Sequence, residues 1–167
     1  MINKMSEECY QNVQGSTDSE HIFHLFLTFL PNYTEVLPIE TVINAVDLTI
    51  ECILELCIDG GIKEPCSLNL VITDGINVIA TRYRNGRQVP PSLYFKYGSH
   101  FKCVDGRLDC DSCDQASEVV ISSAPLSQNE ESDDPLIIPQ DSEYYSRNSN
   151  SNNSNNNNNA HYYLKGL

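Results

Sequence analysis

Apolar residues follow two rhythms along this chain, and the change comes at Cys66. Before it the spacing is helical. Ile22, Phe23, Leu25, Phe26, Leu27, Phe29 and Leu30 make a run that is apolar on nearly every side, which predicts a helix buried by neighbours on more than one face. Thr17 suits the N-cap, Glu20 three residues on completes a capping box, and Gly15 allows a sharp turn into the helix. Asp18 and Glu20 place negative charge in the first turn, where the helix dipole favours it by roughly 0.3–1 kcal/mol each. Pro31 ends the run. A second helix is predicted from about Pro38 to Cys57, because Ile39, Val42, Ile43, Val46, Ile50, Ile53, Leu54 and Cys57 recur at three- and four-residue steps. Pro38 suits its first position and Gly60-Gly61 its end. Cys52 and Cys57 read as small core hydrophobes, and Glu40, Asp47, Glu51 and Glu55 as solvated charges.

After Cys66 the pattern turns to short β-rich runs. Leu68–Thr73 and Val78–Arg84 read as strands joined by a turn at Asp74-Gly75. Leu68, Leu70 and Ile72 on one side and Val71 on the other predict a sheet covered on both faces. Asn85-Gly86 marks another turn, Pro90-Pro91 precedes a strand over Leu93–Tyr97, and the segment from Cys103 to Gln115 is polar and loop-like. Val119–Ser122 and Leu136–Ile138 are the last strand candidates. The reading is therefore α+β, two helices followed by about five strands, over residues 1–142. From 143 to 167 the composition collapses toward Asn and Ser, which cannot bury enough apolar surface to offset ordering entropy, so this stretch is expected to be a disordered tail.

Charge and length narrow the function classes. The 167 residues fit one domain. A formal charge of −13 with only ten Lys and Arg argues against a nucleic-acid surface and against anionic membranes. No apolar run approaches the roughly 20 residues of a membrane span, and Met1 to Glu8 lacks the apolar core of a signal peptide. The chain reads as cytoplasmic, with its seven Cys reduced.

Candidate chemistry gathers at Gly15-Ser16-Thr17-Asp18-Ser19-Glu20. A carboxylate at the head of a buried helix is in one reading only a cap; in the other, Asp18 is a fixed anion awaiting an ammonium group. This stretch resembles the Gly-Ser-Thr-Asp-Ser-Glu segment of class-II glutamine amidotransferases, particularly the glutathione-degrading amidotransferase-like branch. The resemblance continues in order through Ser67 to Gly75, Val78 to Tyr83, Ser92 to Phe95, Gly98 to Phe101, Val119 to Leu126 and Ile137 to Pro139. It implies that Asp18, with Gly15 and Thr17, forms the substrate-binding corner and holds the α-amino group of glutamine or a γ-glutamyl compound. It also implies half of a four-layer α/β/β/α N-terminal-nucleophile hydrolase sandwich, with no cofactor.

The same resemblance implies that catalytic parts are missing. In that family a cysteine at the mature N-terminus attacks the amide, aided by its own amine and an oxyanion turn of His-Asn-Gly. Here Met1-Ile2 comes first, Cys9 aligns ahead of the helix, and Asn85-Gly86 is the only Asn-Gly pair, in a hairpin setting. No catalytic residue is assigned. Loss of a nucleophile alone can cost on the order of 10⁶ in rate, so the chain is expected to be an inactive relic or half of a split enzyme. The alternative is a non-catalytic interaction or ligand-binding protein. Either way, an exposed apolar sheet face drawn from Leu70, Ile72, Val78, Phe95 and Val119 is expected to meet a protein partner or a second copy. His100, Cys103, Cys110 and Cys113 are of zinc-ligand type, but their spacing is tighter than common zinc modules use and the resemblance supplies no metal there.

Overall fold

The computed structural model describes residues 2–105, 107–109, 118–124, 136–137, 142–147 and 162–166. The chain divides into two compact units, Met1–Cys66 and Ser67–Leu167. The first is helical and the second is built of strands, so the α+β reading holds.

In the first unit a short 3-10 turn, Ile2–Lys4, leads to helix α1, Glu7–Gln11. Helix α2 spans Asp18–Thr28 and ends two residues before Leu30, because the residue preceding Pro31 is driven out of helical geometry. Helix α3 spans Ile39–Asp59, with Pro38 as N-cap rather than inside the helix and Gly60 as C-cap. The three- and four-residue steps do what their spacing requires: Val42, Ile43, Val46, Ile50, Cys52 and Ile53 are buried, and α3 packs on α2. In α2 burial is narrower than the run of apolar residues predicts. Leu25 and Phe26 are buried, whereas Phe23 is 48% exposed, its ring lying edge-on to His24 and tilted against Phe26. Cys9 on α1 is buried in this helical unit. The hydroxyl of Thr28 accepts from the Ser6 amide at 3.1 Å and donates to the His24 carbonyl at 3.0 Å, tying the start of α1 to the end of α2. Tyr33 donates a short hydrogen bond to the Glu8 carboxylate, which pushes its phenol up to about 12.

In the second unit the predicted strand Leu68–Thr73 is two strands, β1 (Ser67–Leu68) and β2 (Val71–Thr73). Both pair antiparallel with β3 (Asn77–Arg84) in one register, Leu68 opposite Tyr83 and Val71 opposite Ala80. The interruption has a chemical cause. The Thr81 hydroxyl, on a residue 1% exposed, donates to the Leu68 carbonyl at 2.7 Å and accepts from the Leu70 amide at 3.2 Å, taking a position that a ladder bond would hold. The Asp74-Gly75 turn is as predicted. Asp74 accepts from the amides of Ile76 and Asn77 and from the Asn77 side chain, and Gly75 takes φ +88°. Burial pushes the Asp74 carboxyl up, but those hydrogen bonds, led by the Asn77 amide, hold it below the usual carboxylate range.

Strand β4 is Tyr94–Gly98, β5 Lys102–Val104, β6 Arg107–Asp109, β7 Glu118–Ser122 and β8 Leu136–Ile137. β4 lies between β7 and β8, and β5 with β6 forms a hairpin inside the segment expected to be a loop. Just before β4, the carbonyls of Pro90 and Pro91 receive the buried Arg82 guanidinium, and Asn69 donates to Pro91 and Ser92. A Pro-Pro segment brings acceptors and no N–H donors, so donors from side chains are what can anchor it.

Three expectations need correction. Phe95 does not belong to an exposed face: it is 5% exposed and packs with Ala80 and Leu93 against Val119 and Ile121. Leu70, Ile72, Val78 and Val119 are half-buried rather than open. Coverage on both faces describes β3, where Asn77 and Ile79 through Arg82 are buried, but not β2, where Val71 is 52% exposed. Finally, the stretch from 143 is not all tail. Strand β9 (Ser142–Arg147) pairs along β3, and β10 (Tyr162–Gly166) pairs with β9. Averaging over the Asn/Ser run hid two tyrosine-bearing segments with strand propensity at its margins; residues 148–161 lie outside the described residues.

Candidate functional site

The Gly15–Glu20 corner is assembled by backbone demand. Thr17 has extended geometry (φ −78°, ψ 144°), and its hydroxyl accepts from the Glu20 amide at 3.3 Å, as an N-cap should. Glu20 does not return the bond to Thr17, so the predicted box is only half made. Its carboxylate instead spans the turn, accepting from the Gln14 amide at 2.9 Å and the Gly15 amide at 2.8 Å. Two amides that the helix cannot serve are satisfied by one side chain. Gly15 is there for room: a Cβ at that position would stand 2.5 Å from Glu20 Oε2. The Gln14 bond pulls the Glu20 carboxyl below its usual range; partial burial opposes this, and the Gly15 bond with the nearby His24 and His21 adds to it.

This clamp leaves Asp18 at the mouth of the corner. Its side chain is exposed, with Oδ1 accepting from the Ser19 amide at 2.8 Å. It lines an open depression of about 420 Å³ together with Ile2, Asn3, Ser16 and His21. Of the three residues predicted to bind substrate, Asp18 lines the depression, while Gly15 and Thr17 shape the turn behind it. His21 is a lining residue that the sequence pattern does not single out. The available signal was its spacing, three residues after Asp18 on the same helix face. Its Nδ1 lies 2.7 Å from the Thr17 carbonyl, which fixes a proton on that nitrogen and turns Nε2 into the ring's remaining polar atom. The depression can therefore present a carboxylate and an imidazole to a small polar ligand. Among the described residues no cysteine lines it, and the nearest in sequence, Cys9, is 2% exposed.

Of the zinc-type residues, His100 takes a left-handed backbone (φ 55°) and Cys103 is exposed on β5. Cys110 and Cys113 lie outside the described residues. Among the described residues, no three His, Cys, Asp or Glu side chains gather where they could hold a metal ion. None of the described helices is long and apolar enough to cross a membrane.

In fold the chain is similar to a glutamine aminotransferase class-II domain protein from Silicibacter pomeroyi. The TM-score is 0.59, at 21% identity, over 86% of this chain and 54% of that one. That likeness is one of fold, an α+β arrangement shared with a class-II domain protein. In sequence it is similar to the probable glutamine amidotransferase DUG3 of Saccharomyces cerevisiae, 28% identical over 141 residues. The match takes in 76% of this chain but 40% of that relative, so the chain spans well under half the length of the curated relative it matches. No family model matches. The two likenesses bear out the resemblance to the class-II glutamine amidotransferase-like family.

Proposed function

We propose that this chain is the substrate-gripping portion of a class-II glutamine amidotransferase-like domain, with Asp18 as its ammonium-binding residue. The observation that carries the reading is the Glu20 clamp: a carboxylate bonded to two amides holds the corner so that Asp18, exposed beside it, faces an open depression. Glutamine and γ-glutamyl compounds present an α-ammonium group to such a carboxylate. An exposed pair of this kind is weak by itself, so the remaining recognition comes from groups around it. That no thiol stands among the described lining residues supports a further part of the proposal. The nucleophile and the oxyanion donors come from another piece of polypeptide, and this chain alone does not hydrolyse amides. The four-layer sandwich, with its missing layers supplied by that piece, and a cytoplasmic location belong to the same reading.

Calorimetry with glutamine and a γ-glutamyl dipeptide, on the natural chain and on Asp18→Ala, tests the grip. Removing an exposed charge pair is worth about 0.2–1 kcal/mol, so Asp18→Ala is expected to raise Kd by up to roughly fivefold. Equal affinity for the two proteins would overturn the assignment. Ammonia or glutamate released at enzymatic rates by the purified chain would overturn its inactivity.

A further inference from the structure

The turn that leaves α3 brings two thiols together. Cys57 lies in the last turn of the helix. Gly60 remains right-handed, Gly61 takes φ +64°, and the Ile62 amide donates back to the Cys57 carbonyl at 2.9 Å, so the chain reverses direction there. Residues 62–66 follow that reversal, and the Cys66 side chain comes into hydrogen-bonding contact with the Cys57 thiol. Both residues are half-buried, within reach of a small reagent, whereas Cys9 and Cys52 are buried.

We infer that Cys57 and Cys66 are a redox-responsive pair that closes into a disulfide under peroxide, locking the turn at the end of α3. The thiolate of one cysteine attacks a peroxide oxygen, breaking the O–O bond and leaving a sulfenic acid and one water. The other sulfur then attacks that sulfenic sulfur, the S–S bond forms, and the hydroxyl departs with a proton as a second water. Two thiols are oxidised and one peroxide is reduced. Burial pushes the Cys66 thiol up, and the neighbouring Cys57 adds to the shift. Cys66 therefore stays protonated at neutral pH and supplies more thiolate as pH rises. A thiol pair in contact is poised for disulfide chemistry in a way that a solitary buried cysteine is not.

The test uses the full chain, treated with limiting hydrogen peroxide, alkylated with iodoacetamide and mapped by peptide mass spectrometry. The expected result is a peptide joining Cys57 to Cys66, loss of two of the seven alkylatable thiols, and recovery of both with dithiothreitol. In Cys66→Ser, Cys57 is expected to be trapped by dimedone as a sulfenic acid. Linkage of either residue to a different cysteine would overturn the inference. So would full alkylation of both while Cys103 is oxidised. The mapping on the unaltered chain decides the matter even if the variant does not fold.

Discussion

At Gly15 a single hydrogen atom separates a working clamp from a broken one. Gly15→Ala is expected to expel the Glu20 carboxylate, since the added Cβ would meet it at 2.5 Å. The Gln14 and Gly15 amides should then exchange faster, read by NMR, and Glu20 should titrate closer to its ordinary value near 4.5. The sign of the pH effect follows from the direction of that shift. A carboxyl held below its unfolded value contributes stability that is fully present above the unfolded value and is lost as pH falls through the folded one. Glu20→Gln is thus expected to be less stable at neutral pH and to show a shallower loss in acid, measured as Tm against pH. Thr17→Ala should cost about 1 kcal/mol through the lost cap, while Thr17→Ser should be close to neutral. Tyr33 carries the opposite dependence. Its phenol, pushed up to about 12 by Glu8, supports the fold below pH 10, and that support is lost as pH rises through the folded value. In Glu8→Gln one of the nine tyrosines should return toward 10 in a spectrophotometric titration.

Elements were legible where one local rule decides them. The α3 stripe is read from spacing alone, and the Thr17 cap from residue type, because both depend on neighbours three and four positions away. What could not be read depends on partners far along the chain. Nothing in Leu68–Thr73 announces that Thr81 will interrupt it, since that hydroxyl arrives from the opposite strand. Thr81→Val should leave the Leu68 carbonyl and the Leu70 amide without this partner at a cost of about 1–3 kcal/mol, with faster exchange at Leu70. The candidate site divides in the same way. Asp18 was visible as a residue, but the reach of Glu20 past Thr17 to Gln14 was not, because a capping box and a wider clamp require the same letters. The burial of Phe95 escapes the sequence for a related reason: alternation marks a face as apolar and says nothing of what covers it, here Ala80, Leu93 and their neighbours.

For the whole molecule the Asn/Ser run was the most misleading signal, since it concealed a strand that the sheet requires. β9 closes the side of β3 that β1 and β2 leave open, with Ile79 opposite Tyr145. Truncation after Asp141 should therefore lower Tm and promote self-association through the uncovered β3, whereas truncation after Arg147 should do so far less; light scattering and thermal melts distinguish the two. This pairing also sets a schedule for synthesis. The helical unit can form while the ribosome is still making the strands, but β3 has to wait for a partner encoded well downstream of it. Contacts so remote in sequence form slowly and leave incomplete intermediates prone to misassembly. A stalled or prematurely terminated translation product would consequently be the form of this protein most in need of a chaperone.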